Sequence, residues 1–433
     1  MKNPNSIKEM LCDDIKSMEK NIQLFVKNPD KDFTRNRKLP FHQLMKFIIA
    51  LEKDTISDEL LKYFEYRKNI PTASSFCQQR AKILPEALQT LLYRFNKHFK
   101  TKLFRGFRIL ACDGSEFRLP LNQKDKTTYM KPSPTSVSGY NAIHVVALYD
   151  ILSDRYTDAV ISPFAKNNEP RDICLLTDRI KDNCGYKTLI IADRGFATYN
   201  FFAHAIENGV YFLARAKDAN VEYMIGKKLE ELPDEFDMTV HRILTRTNSA
   251  RKWNKPENRE QYRICKKRNF DFVNESNSEY GMDLRVVRFK ISETAYENIV
   301  TNLNADFEPE TIKKLYAMRW RIETSFCTLK HSIGAATFHS VKYEYVMQEV
   351  WARMLLYNFG SEIIKCCSVK EGRRRLKYKI NISKAMKICR KFLKSIIEGD
   401  IRKLIEKFIL PIRNNRKFKR RKRTSIAVCL NYR

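Results

Sequence analysis

Two aspartates stand where a reactive carboxylate would be expected: Asp113 closes the apolar run RILAC, and Asp193 closes LIIA. Both runs have the length of a strand, and in α/β sheets sites gather where strands end and loops begin. Taken singly, either residue is better explained as a turn or helix-capping aspartate. A third element is more specific. In FEPETIKKLYAMRWRIETSFCTLKHSI, Arg319, Glu323 and Lys330 follow Tyr316 at offsets of three, seven and fourteen residues. At about 100° per helical residue these four share a stripe about 60° wide. Leu315, Ile322, Phe326, Leu329 and Ile333 fall beside it, so one face packs while its neighbour displays polar groups. Arg319 and Glu323 would pair on any helix, but that pairing leaves the tyrosine and lysine in register unexplained.

The string YAMRWRIETSFCTLK resembles the Tyr, two, Arg, three, Glu, six, Lys signature of insertion-sequence DDE transposases of the IS-four type. TNL at Thr301 to Leu303, ADRGF around Asp193 and ACDGS around Asp113 extend the match, which covers most of residues 36–340. The resemblance implies an acidic triad of Asp113, Asp193 and Glu323 on a ribonuclease-H-like fold with a β-rich insertion between the second aspartate and the glutamate. Here 323 − 193 = 130 residues separate the two, which is room for it. It implies two Mg²⁺ ions held by those three carboxylates, with Mn²⁺ able to substitute. Two ions about 3.5 to 4 Å apart suit an in-line attack by water and then by a 3′-hydroxyl, with no His or Lys general base. Similar enzymes release their element through a DNA hairpin. In family terms Tyr316, Arg319 and Lys330 would contact the phosphate backbone near the terminal nucleotide. The partners implied are double-stranded DNA, as terminal inverted repeats and target, and a second copy of the chain in a homodimeric synaptic complex.

Arg215, in the strand after Asp193, is either a further DNA-binding group or a sheet-edge cation. Trp253, in the basic stretch RKWNKPENR, is either an aromatic platform for an unstacked base or a ring packed over a loop. Trp320 and Trp351 are expected to pack. His144 reads as a satisfied histidine within a strand, Asp150 and Asp154 as turn residues, and Cys112 as a small buried residue. Glu116 is a candidate for one more carboxylate near Asp113.

The elements that must position these groups follow from the periodicity. LPFHQLMKFIIALEK, ISDELLKYFEYR and SSFCQQRAKILPEALQTLLYRFNKHF alternate as helices, the last with Ser74 as its N-cap. From about residue 106 the order reads βββαβαβ: FRILACD, YNAIHVVALYD and RYTDAVISP as strands, a helix over Arg171 to Lys181, the strand KTLIIAD, a helix stopped by Gly209, and the strand VYFLARA. The expected class is α/β, with a mixed sheet of βββαβαβ-insertion-α order flanked by helical terminal regions. The expected divisions are a helical DNA-binding region (1–100), the first part of the core (101–219), a β-rich insertion (220–305), the second part with the glutamate helix (306–345), and a basic helical region (346–433).

Composition narrows the partner. With 81 Lys plus Arg against 50 Asp plus Glu the formal charge is +31, on a chain 43% hydrophobic and 12% aromatic. Such a chain should fold and should seek polyanions, nucleic acid first. Residues 401–433 carry twelve basic residues and one acidic, and RNNRKFKRRKR from Arg413 to Arg423 places eight cations in eleven positions. That tail is either a solvated extension or a phosphate-attracting one. No membrane span or signal peptide is visible, and a cytoplasmic, nucleoid-associated bacterial protein is expected. The eleven cysteines include no CxxC pair, which argues against structural zinc and disulfides. Two alternatives share much of this pattern. A domesticated or inactive DNA-binding descendant should have lost one of the three acids, and a plain nuclease or junction resolvase should lack the Tyr, Arg and Lys.

Overall fold

A computed structural model of the chain describes residues 3–35, 37–132, 138–180, 185–247, 261–266, 269–334, 337–369 and 376–413. Trp253 and the tail beyond Arg413 lie outside these residues.

Five helices come first: α1 (Pro4–Lys20), α2 (Phe41–Ala50), α3 (Ile56–Tyr63), α4 (Ala73–Arg80) and α5 (Glu86–Lys97). The cap of α4 is Thr72, not Ser74: Thr72 is extended and its hydroxyl accepts the Ser75 amide at 3.1 Å, leaving Ser74 within the first turn. Pro85, whose ring cannot continue a helix, separates α4 from α5.

The sheet begins with β1 (Phe107–Leu119), the two-residue β2 (Tyr129–Met130), β3 (Tyr140–Asp150) and β4 (Arg155–Pro163). There follow α6 (Glu169–Asp178), β5 (Lys187–Ala192), α7 (Tyr199–Glu207), β6 (Tyr211–Ala216) and α8 (Asp218–Ile225). Apart from the short β2 and the helix α8, which stands at the start of the stretch expected to be β-rich, these are the strands and helices that periodicity predicts. Pairing runs β4-β3-β1-β5-β6, antiparallel across β4, β3 and β1 and parallel across β1, β5 and β6. This is a mixed α/β sheet of ribonuclease-H-like type. The insertion strands β7 (Phe236–Thr245), β8 (Tyr262–Ile264), β9 (Glu279–Ser292) and β10 (Ala295–Thr301) build no sheet of their own. They extend the same one in the order β6-β10-β9-β7-β8. Asn302 fastens that extension: its side chain accepts the Phe212 amide at 2.9 Å and donates to the Val210 carbonyl at 3.0 Å, tying the end of β10 to the start of β6.

The chain then forms α9 (Pro309–Ala317), α10 (Trp320–Cys327), α11 (Tyr343–Ile364), β11 (Tyr378–Ile380), α12 (Ile382–Leu393), α13 (Arg402–Glu406) and β12 (Ile409–Pro411). The segment from Pro309 to Ile333 is therefore not one uniform helix, and the longest described helix is α11. Between α9 and α10 the ladder tightens to i→i−3 bonds, Arg319 to Tyr316 at 3.0 Å and Ile322 to Arg319 at 3.0 Å. After α10 it widens into a π-helical turn over Thr328–Ser332, closed by the Ile333 amide on Thr328.

Strand alternation divides the core. Ile109, Ala111 and Phe117 of β1 face a cluster shared with α1 to α5 and α9 to α12. Leu110 and Cys112 face the opposite cluster, built with α6, α7, α8 and the inner residues of β7 and β9. The amino-terminal helices are bound to the carboxy-terminal ones through buried charge: Arg80 donates to Gln348 at 2.8 Å and Glu349 at 3.0 Å, and Lys394 meets Glu59 at 3.4 Å.

Candidate active site

Register brings the two aspartates together. Cys112 of β1 and Ala192 of β5 are parallel partners, so Asp113, within β1, and Asp193, one residue past the end of β5, occupy the next adjacent positions on one face of the sheet. That face is the one covered by α9 and α10. Asp113 is three-quarters buried, and one of its own carboxylate oxygens accepts the Gly114 amide at 2.9 Å. Burial pushes its carboxyl up to about 6, with Glu323 and Asp193 adding to the rise and Arg319 and the Gly114 amide opposing it.

Arg319 stands in the middle. Its guanidinium, 5% exposed, lies 2.8 Å from Glu323 Oε1, 3.9 Å from Asp113 Oδ2 and 4.0 Å from Asp193 Oδ2. Tyr316 donates its hydroxyl to Asp193 Oδ1 at 3.3 Å, and burial together with that carboxylate raises its pKa far enough to keep it a neutral phenol. Lys330, on the π-helical turn, donates to Ser115 Oγ at 2.7 Å and lies over the Phe117 ring; burial lowers its pKa. Arg215 reaches Asp193 at 3.8 Å from the other side and is paired with Glu297 at 3.2 Å. Asp113, Asp193, Glu323, Tyr316, Arg319, Lys330 and Arg215 thus meet in one place, although the helix that carries four of them changes pitch twice.

The donor set is all oxygen and suits a hard divalent cation. Among the described residues no three acidic, His or Cys side chains are gathered tightly enough to hold one ion as they stand, and Arg319 supplies the positive charge between them.

The Transposase DDE domain family matches residues 105–359, more than half of the chain and all of the residues just described. The chain belongs to the DDE transposases. The cryo-electron microscopy structure of a piggyBac transposase synaptic complex with hairpin DNA is similar to it at a TM-score of 0.45 and 10% identity, covering 92% of this chain and 81% of that one. No curated protein matches the chain.

Within this transposase domain several expectations change. Trp320 does not pack: it is 56% exposed, with Arg319 5.6 Å from its ring centre. The polar stripe faces the carboxylates, and Trp320, one residue further round the turn, is left toward solvent. Glu116 does not join the triad, because three residues along a strand reverse the face; it pairs with Arg118 at 2.7 Å. Trp351 is buried, Cys112 is buried, and Asp150 accepts the Ser153 amide at 2.8 Å across its turn.

Two features escaped the sequence reading. Glu297 shares a strand face with Ile299 and thereby meets Arg215; a charged residue in phase with buried ones was the available signal. Glu169, at the start of α6, lies 2.9 Å from His144 on the far side of the sheet. A Cβ at Gly114 would collide with Glu169 and come within 2.5 Å of His144 Nε2, and one at Gly195 would lie 3.1 Å from Glu169. The glycines of ACDGS and ADRGF thus leave room for this pair directly beneath both aspartates, a relation that no spacing in the sequence records.

Proposed function

We propose that this DDE transposase cuts DNA at the ends of an insertion sequence of the IS-four type and joins the freed strands to a target. The observation that carries this reading is the convergence of Asp113, Asp193 and Glu323 on one sheet face, ringed by Tyr316, Arg319, Lys330 and Arg215. Asp113, Asp193 and Glu323 would hold two Mg²⁺ ions, or Mn²⁺ in their place. Bound there, such ions lower the pKa of a nucleophilic water or hydroxyl and neutralise charge on the leaving oxygen.

The chain's own groups supply the rest. Tyr316 fixes the Asp193 carboxylate through its hydroxyl. Arg319 and Lys330 are cations set into the wall of the site, where burial strengthens their attraction for a phosphate backbone. Arg215, held by Glu297, extends the cationic rim toward the insertion strands. Double-stranded terminal repeats and target DNA are the substrates, and two copies of the chain act together so that both ends are held in one complex. The reaction takes place at the bacterial nucleoid.

The test is incubation of the purified protein, with Mg²⁺, on duplexes carrying the flanked ends of its own element, with Asp193→Asn alongside. Strand breaks at the element boundary in the natural protein, absent with Asp193→Asn, are expected. Specific end binding without breaks in either protein would instead identify a DNA-binding descendant that has lost its chemistry.

A further inference from the structure

We infer that Arg319 is an exchangeable counter-ion: without divalent ions it partly offsets the charge of the three carboxylates, and it must swing to a DNA phosphate before those carboxylates can take up metal. This inference rests on the triad being the metal site. Three observations carry it. The guanidinium lies within 4.0 Å of all three carboxylates, and its 2.8 Å bond to Glu323 holds the glutamate to a cation already in place. A guanidinium and a divalent ion cannot share that volume, and the mutual repulsion of the carboxylates is partly offset while Arg319 remains.

The fork is also incompletely used. Arg319 Nε is buried with no hydrogen-bond partner among the described residues, and Nη1 approaches Asp113 only at 3.9 Å. A buried donor without an acceptor is costly, and a guanidinium matches phosphate oxygens as well as carboxylate ones. Finally, Arg319 stands at the junction of α9 and α10, where the helix tightens, between the rings of Tyr316 and Trp320 at 5.8 and 5.6 Å. Trp320 is 56% exposed there, so one of the two rings beside the guanidinium reaches solvent.

The consequence is linkage. If one cation leaves the carboxylates for the DNA end, DNA and metal each raise the other's affinity by the same factor. Metal then loads onto the triad when an end is already bound, which keeps the free protein from nicking DNA at random.

Mn²⁺ binding, read from the loss of the free-ion electron paramagnetic resonance signal, tests this without any turnover. It would be measured for the natural protein, Arg319→Gln, Arg319→Lys and Asp193→Asn, each alone and with a precleaved terminal-repeat duplex, after thermal melting confirms that each is folded. The natural protein should bind Mn²⁺ at least about 5-fold more tightly with the duplex than without it. Arg319→Gln should bind Mn²⁺ tightly without DNA and show little further gain on adding it. Arg319→Lys, which keeps the charge but not the fork, should fall between the two. If Mn²⁺ binding depends on Asp193 but neither Arg319 variant binds it more tightly and the DNA effect persists, the counter-ion role is wrong and the triad stands. If no Mn²⁺ binding depends on Asp193, with or without DNA, both readings fail.

Discussion

Two clusters in this molecule combine arginine with carboxylate, and they differ in which charge is in excess and in how far they open to solvent. Arg80, Glu349, Arg353 and His339 join α4 to α11 with Arg80, Glu349 and Arg353 all at 1 to 2% exposure; Glu349 takes Arg80 at 3.0 Å and Arg353 at 2.9 Å. At the other cluster Arg319 and Arg215 face four acids, Asp113, Asp193, Glu323 and Glu297, and the first three of these are 21 to 34% exposed. The first cluster is closed: its one carboxylate is shared by two arginines, and all three are shut away from solvent, so removing it would leave buried charge unpaired. The second keeps an excess of carboxylate at an open edge, an arrangement that is useful only if something positive arrives. Burial and pairing alone therefore separate a clamp from a reaction site made of the same residue types.

The widest gap between the two should appear in chemistry. Glu323→Gln should cost at least 10² to 10³ in strand cleavage, on the order expected when one preorganised electrostatic group is lost, while end binding in a gel-shift assay is retained. Equal loss of binding would mean that Glu323 is not confined to the reaction.

In the closed cluster, Glu349→Gln strands two buried arginines and should lower stability by about 3 to 5 kcal/mol in urea unfolding, with strand cleavage per folded molecule unchanged. Burial alone would raise the Glu349 pKa, but the charges of Arg80, His339 and Arg353 outweigh it and hold the carboxyl well below the usual carboxylate range. A depressed folded-state pKa contributes stability that is present above the unfolded value of about 4.3 and is lost as pH falls below it. The stability gap between the natural protein and Glu349→Gln should therefore narrow as pH is lowered from neutrality past 4. A gap independent of pH would show that packing rather than charge binds α4 to α11.

Gly114→Ala probes the underside of the open site. Displacing the Glu169 and His144 pair should reduce cleavage by up to about a hundredfold through misplacement of Asp113, and Glu169→Ser in the same chain should restore part of it. No rescue would mean that the glycine is needed for its backbone alone. The smallest effect is expected at Lys330: Lys330→Ala should weaken end binding similarly for all sequences and reduce the slope of log affinity against log salt by about one, measured by fluorescence anisotropy.

Much of this was legible beforehand because it depends on local repetition. Asp113 and Asp193 were found where apolar runs of strand length stop. Tyr316, Arg319, Glu323 and Lys330 were found by helical spacing, and their common destination survives a tightened junction and a π-helical turn because neither displaces the Tyr316 to Glu323 stripe from the carboxylates. Trp320 departs from the packing that spacing predicts, because spacing gives a direction around a helix and says nothing of what lies in that direction.

The sequence by itself determined which residues alternate, which faces are apolar, where strands end and how much positive charge the chain carries, since each depends on neighbours a few positions apart. Tertiary structure alone decided that β1 and β5 pair in the register that sets Asp113 beside Asp193. It also decided that the insertion strands continue the same sheet, that Glu169 fits beneath two glycines, and that Arg319 ends among three acids. Those outcomes depend on contacts between segments scores of residues apart, where packing selects one partner among many that local patterns would permit.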